Sequence, residues 1–371
     1  MKKNEKFIVP LSKIETLTLE MGYQCNIRCS FCYQEDFSPK NNAPDELWRE
    51  KLAPVYPSLK RVTFLGGEPT IIKGAREFSD FIVKEHPHIK LDTISNGLAF
   101  KGEWIDKFVS NGHKIIFSLN AASSEVYDKI TRNSNWDKVV ANIKALAAAR
   151  ERASSELILE ASMLVLPENI SEMGIFIKRC EDMGFDKAFF ITPLFHQIKN
   201  VDRELARRSI GEACDMKDKF PGINVVGIES IIKNLFPEPD GAVAALIDRC
   251  DEHGGRDPSY YDAVCKYPWN SLYVKHTGDV MVCCAAWLAI GNLNKDSIED
   301  IWNSSHAINM RKKMAKKDYS LCKRICPFNV NPSMKKKEAL NVVGRKLIYR
   351  FAKDPKMTIK KIKKEAGRFF K

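Results

Sequence analysis

Gln24-Cys-Asn-Ile-Arg-Cys-Ser-Phe-Cys-Tyr33 places three cysteines, Cys25, Cys29 and Cys32, in a C-x3-C-x2-C spacing. Three thiolates on one short loop can hold three irons of a four-iron, four-sulfur cluster and leave the fourth iron without a protein ligand. An open iron is where a small molecule can coordinate and receive an electron. Ferredoxin clusters take four cysteines, and structural zinc sites are also closed by four ligands. The triplet therefore reads as a reactive centre rather than a staple.

Working outward from this loop, residues 14 to about 195 alternate short apolar strands with amphipathic helices. Strands are expected at 14–20, 61–65, 91–95, 114–119, 156–166 and 187–192, and helices near 44–53, 73–86, 102–111, 135–152 and 168–183. Six strand–helix units with short connections imply parallel strands and right-handed crossovers. The expected fold is α/β, a partial (β/α)6 barrel of the TIM type. The cysteine loop follows the first strand, Gly66-Gly67-Glu68-Pro69 the second, Asn96 the third and Ser118 the fourth, and carboxyl strand ends are where such barrels keep their chemistry. The expected division is a barrel core over 1–197, connector helices over 198–260, a small hairpin-and-helix segment over 261–333 and a basic helical tail over 334–371.

The C-x3-C-x2-C loop with Phe31 before its last cysteine, followed by Gly66-Gly67-Glu68-Pro69, resembles the signature of radical S-adenosylmethionine (SAM) enzymes. The resemblance implies that SAM binds the open iron of a 4Fe-4S cluster held by Cys25, Cys29 and Cys32. It also implies that SAM is cleaved reductively to a 5′-deoxyadenosyl radical, which takes a hydrogen atom from the substrate. By the same resemblance Gly66, Gly67 and Glu68 serve the SAM amino group. Asn96 and Ser118 match ribose or adenosine contacts, and Arg132 matches an arginine that pairs with the SAM carboxylate. Phe31 and Tyr33 would shield the cluster from water. Glu20 and His196, at strand ends, are candidates for substrate contact or proton transfer, although a satisfied structural role is the commoner one for such residues.

A second cysteine set follows: Cys265, Cys283, Cys322 and Cys326, with a hairpin expected from strands 272–276 and 280–284 around Thr277-Gly278-Asp279. Four cysteines can close a site. The set resembles the twitch module, the short form of the SPASM domain, and implies one auxiliary 4Fe-4S cluster; a four-cysteine zinc site remains the alternative. Cys284 could replace Cys283, and Cys250 could replace Cys265. Cys180 and Cys214 read as core or surface thiols.

The chain has 371 residues, is 44% hydrophobic and holds eleven cysteines. No signal peptide or spanning segment is visible, so the cysteines read as ligands in a reducing cytoplasm. Of the net charge of +12, the tail from Lys335 to Lys371 supplies +11, with 14 Lys and Arg against three acids. Basic amphipathic segments of this kind suit an anionic membrane surface or a phosphate-bearing substrate, or equally a solvated helix face, and no nucleic-acid module is legible. An electron donor of the flavodoxin or ferredoxin class is implied. With the first strand beginning near residue 14, no leader-binding domain is expected ahead of it. The favoured expectation is oxidation or rearrangement of a small polar metabolite, such as a sugar, a cyclitol, or a nucleotide- or lipid-linked sugar. The alternative is a maturase acting on a ribosomal peptide by crosslinking, epimerisation or oxidation.

Overall fold

The computed structural model describes residues 5–192, 200–238, 240–250, 264–286 and 288–322. His196, Cys326 and the basic tail lie outside the described residues. One ten-stranded sheet runs through the molecule. In chain order its strands are β1 (Thr16–Glu20), β2 (Arg61–Leu65), β3 (Lys90–Ser95), β4 (Gly112–Ser118), β5 (Ile158–Leu164), β6 (Lys187–Ile191), β7 (Asn224–Val226), β8 (Ser271–Val274), β9 (Asp279–Met281) and β10 (Gly291–Asn292). Their spatial order is β10-β9-β8-β1-β2-β3-β4-β5-β6-β7. The strands from β8 to β7 are parallel, while β9 pairs antiparallel with β8 and β10 antiparallel with β9.

The six expected strands are present and consecutive. Two parallel neighbours join them: β7 beside β6 and, unexpectedly, β8 beside β1. The hairpin is thus an extension of the barrel sheet rather than a separate sheet. Its second strand stops at Met281, short of the expected residue 284. From there the chain turns, and the Ala286 N–H donates to the Cys283 carbonyl at 3.2 Å.

Helices pack on one face of the sheet. The amphipathic α1 (Lys73–Glu85) and α2 (Glu103–Asn111) follow β2 and β3, and α3 (Ser124–Ile130) and α4 (Trp136–Arg152) lie between β4 and β5. Next come α5 (Met173–Asp182), α6 (Arg203–Lys219), α7 (Ile228–Leu235) and α8 (Gly241–Cys250). The stretch expected as a helix at 44–53 contains a π-helical turn, Leu47–Lys51. Leu17, Leu19, Val62, Phe64, Ile115 and Phe117 are buried on the helix side. There Phe64 meets Phe78 of α1 and Trp104 and Phe108 of α2. Side chains alternate across a strand. Thr16, Thr18 and Glu20 therefore share the opposite face of β1, and Tyr273, in register with Thr18, shares it on β8.

Past the hairpin, α9 (Ile298–Trp302) and α10 (Ser305–Met314) close over the sheet's edge. Arg311 of α10 is fully buried and donates to the carbonyls of Phe7, Pro268 and Trp302 and to Asn303 Oδ1. Its guanidinium also stacks on Trp302. Burial lowers its pKa to about 10, and neutral acceptors take the place of a carboxylate.

Candidate active site

Cys25, Cys29 and Cys32 lie beyond the carboxyl end of β1 on a loop stitched to two other segments. Residues Arg28–Cys29 pair antiparallel with Thr131–Arg132, and Ser30 N–H donates to the Ile130 carbonyl at 2.9 Å. Arg132 is thereby brought beside the cysteine loop, directly opposite Arg28. On the other side, Gly67 N–H donates to the Gly22 carbonyl and Glu68 N–H to the Gln24 carbonyl, each at 2.8 Å. These contacts explain the glycines. A Cβ on Gly67 would stand 2.1 Å from the Gln24 carbonyl oxygen, and one on Gly66, whose φ is +153°, would stand 2.4 Å from that of Gly22. Only a bare backbone can cross another this closely.

Glu68 is 1% exposed and fully engaged. It accepts from the Asn96 N–H at 2.7 Å, from the Ser95 hydroxyl at 2.9 Å, and from both the N–H (3.1 Å) and hydroxyl (2.5 Å) of Thr70. Burial pushes its carboxyl up, and these hydrogen bonds offset only part of that. Its observed work is to cap the turn after Gly67 and to bind that turn to β3. Asn96 donates to Asn26 Oδ1 at 2.8 Å and approaches Cys25 Sγ at 3.9 Å, while its Oδ1 accepts from Leu98 N–H. Its amide therefore orients the cysteine loop. Ser118 is half-buried at the end of β4, and its carbonyl accepts from Asn120 Nδ2. Phe31 is half-buried against the core, but Tyr33 is 84% exposed and provides no shield.

The donor set suits an iron–sulfur centre. All three thiols are free and partly buried. Burial first, then the neighbouring Cys32 and Cys25, push the Cys29 thiol up to about 12, and burial likewise raises Cys25. Three thiolates this close need positive charge between them, which a metal centre supplies. Beside them Gln34, whose Oε1 lies 3.8 Å from Cys32 Sγ, has a buried Nε2 without a partner. Among the described residues no three Cys, His, Asp or Glu converge as the ligands of a single ion. Ligands of a cube stand further apart than those of one ion.

In the second set Cys265 is buried and Cys283 half-buried. Cys283 is pushed up to about 11 by burial first, with Cys284 and Cys265 adding to it. Cys322 is buried and bridges to Ala286, on the turn that follows Cys283. Three of the four expected cysteines thus surround one turn, and Cys284 beside them is exposed. Cys250 is not available to this set. It pairs with Cys214 as a disulfide, Cα atoms 6.0 Å apart, because α6 and α8 pack side by side. That corrects both the Cys250 ligand option and the reading of Cys214 as a free thiol. Cys180 is a buried core thiol in α5.

Sequence reasoning missed Asn26, Gln34, Tyr273 and His276. His276 had one available signal, its position at the end of an expected strand. Asn26 had none, since its partner lies 70 residues away.

A parallel strand–helix sheet with this cysteine loop and Gly-Gly-Glu-Pro crossing defines an iron–sulfur SAM enzyme, and the chain belongs to the radical SAM superfamily. Residues 19–180 match that superfamily and residues 265–327 the SPASM iron–sulfur cluster-binding domain. Its cofactors are 4Fe-4S clusters and SAM. The sporulation killing factor maturation protein of Bacillus subtilis is 22% identical over 301 residues, 79% of this chain and 66% of that protein. A probable GTP 3′,8-cyclase of Methanocaldococcus jannaschii is 25% identical over 177 residues, 46% of this chain and 57% of that protein. The chain thus spans less than two thirds of the length of either relative. The crystal structure of Streptococcus suis SuiB bound to precursor peptide SuiA shares the fold, with TM-score 0.57 and 14% identity over 83% of this chain and 68% of that one. Among the described residues no helix is long and apolar enough to cross a membrane.

Proposed function

We propose that this radical SAM enzyme matures a ribosomally made peptide, forming a crosslink or another oxidised linkage. The observation that carries the reading is the likeness to the sporulation killing factor maturation protein, which covers 79% of this chain and so extends well beyond the barrel match. The GTP cyclase likeness covers 46%. The first likeness supports the peptide alternative over the expectation of a small polar metabolite.

When bound, the clusters and SAM supply one-electron chemistry, ending in hydrogen-atom abstraction from a C–H bond. The chain's own part is to hold and orient. Cys25, Cys29 and Cys32 would carry the SAM cluster, and Cys265, Cys283, Cys322 and Cys326 the auxiliary one. The loop carrying the first three is fixed by the Gly66–Gly67 crossing, by Asn96 and by residues 131–132. Gly67, Ser118 and Arg132 would meet SAM, with Arg132 offering a fork to its carboxylate. A cluster held by the second set would supply an electron acceptor beside the substrate, which suits an oxidative outcome. The same reading takes in a flavodoxin- or ferredoxin-class donor, a basic tail that meets anionic surfaces, and the four-part division of the chain given above.

The test is to incubate the reconstituted protein, SAM and reductant with short peptides encoded beside its gene. A mass loss of two hydrogens per linkage, matched by 5′-deoxyadenosine, is expected. Unaltered peptides together with 5′-deoxyadenosine formation stimulated by a sugar or nucleotide would overturn it.

A further inference from the structure

Glu20 and His276 form a buried pair that this reading leaves unused. Glu20 closes β1 on the face it shares with Thr16 and Thr18, and His276 lies two residues past β8, the neighbouring parallel strand. His276 Nδ1 meets one carboxylate oxygen of Glu20 at 2.5 Å, and the other oxygen accepts from the Tyr273 hydroxyl at 3.2 Å. Side-chain exposure is 10% for His276 and 7% for Glu20. Tyr23, two residues before Cys25, stands edge-on to the imidazole with ring centroids 4.4 Å apart. Tyr33 and Cys284 are further ionisable groups facing Tyr273. The pair therefore lies at the carboxyl strand ends, between elements that carry the two cysteine sets.

An ionised carboxylate only accepts hydrogen bonds. Glu20 thus accepts from Nδ1–H, the tautomer that leaves the Nε2 lone pair available as the base. Nε2 has no hydrogen-bond partner among the described residues and is not enclosed by protein, so it is open to a group arriving at the strand ends.

We propose that His276 is the proton acceptor of the reaction and that Glu20 is the residue that positions it. The inference rests on the peptide reading for the identity of the acid, a heteroatom X–H of the peptide. Joining its X to a C–H carbon forms one C–X bond and breaks the C–H and X–H bonds. The hydrogen atom passes to the adenosyl carbon, one electron to an iron–sulfur acceptor, and the remaining proton to His276 Nε2.

The test uses anaerobically reconstituted wild type, His276→Asn, Glu20→Gln and His276→Ala. His276→Asn should lower modified peptide by about 10²-fold or more, the range of a lost acid–base group. Iron content and peptide-free 5′-deoxyadenosine formation should be unchanged, and added imidazole should restore product to His276→Ala. Wild-type product levels in both His276→Asn and Glu20→Gln overturn the proposal. So does joint loss of iron, SAM cleavage and product without imidazole rescue, because that marks a merely structural pair. If wild type modifies no peptide, the peptide reading fails and diethylpyrocarbonate labelling decides the pair separately. Carbethoxylation of His276 in the folded protein, slowed by Glu20→Gln, supports a free basic Nε2. Labelling of His276 only after unfolding overturns it.

Discussion

Gly67→Ala tests whether the Gly-Gly-Glu-Pro segment works by bare-backbone contact. The added Cβ would lie 2.1 Å from the Gln24 carbonyl oxygen and 2.6 Å from that of Tyr23. Real Cβ contacts stay beyond 3.0 Å, so the strands of this crossing must part by at least 0.9 Å. Neither obstacle is a flexible side-chain tip. Both are backbone atoms directly before Cys25, already tied down by the hydrogen bonds from Gly67 and Glu68. Overpacking of this kind costs about 1–3 kcal/mol. A displacement near 1 Å at a reacting centre costs roughly 10²-fold in rate. We expect Gly67→Ala to lose SAM affinity and 5′-deoxyadenosine formation by about that factor. Its iron should fall toward the auxiliary share alone. The control is Gly74→Ala in α1, where the nearest atoms to a new Cβ stand at 3.7 Å. It should be neutral or stabilising by about 0.5–1 kcal/mol. The assay is iron and sulfide per chain with SAM binding by calorimetry. Full iron and wild-type SAM affinity in Gly67→Ala would refute the reasoning.

Replacing Cys25, Cys29 and Cys32 together by alanine should leave about half the iron with a cluster spectrum, since the second set supplies its own ligands; complete loss would remove the auxiliary cluster from the account. Arg311→Met should lower stability by about 3 kcal/mol, because four acceptors, two of them in fully buried hydrogen bonds, lose their donor; thermal unfolding followed by far-UV circular dichroism reads it, and an unchanged Tm would count against it. In the metal-free chain the Cys29 thiol, pushed up to about 12, stays protonated through neutral pH. Only thiolates alkylate, so Cys29 should resist iodoacetamide at pH 8 and react as pH climbs toward that value. Rapid labelling at pH 8, read by peptide mass spectrometry, would contradict this.

The strands of the barrel were legible because each is short, apolar and bounded by turn residues. Expected and observed limits differ by no more than two residues for all six. The cysteine loop and Gly66–Glu68 were legible as motifs, but the physics that joins them was not. The Gly67–Gln24 crossing and the pairing of residues 28–29 with 131–132 are contacts between distant backbones, which no local pattern encodes. Glu68 shows the difference. Its residue type invites a ligand role, yet its four hydrogen bonds place it as a cap and tie. The Cys214–Cys250 pair was hidden for the same reason, since it depends on how α6 lies against α8. His276 looked like a strand end until the parallel register of β8 with β1 set it against Glu20.

That register carries a consequence for how the chain is made. Leu17 of β1 pairs with Leu272, 255 residues later. At about 5–20 residues per second, β1 waits roughly 13–50 s on the ribosome before its second neighbour exists. Until then one side of the strand is an unpaired edge of apolar and threonine residues, a template for wrong partners. A fragment ending near residue 192 would keep that edge permanently, so it should aggregate where the longer chain does not. The SAM half therefore matures late, after the hairpin of the auxiliary half has been synthesised and docked.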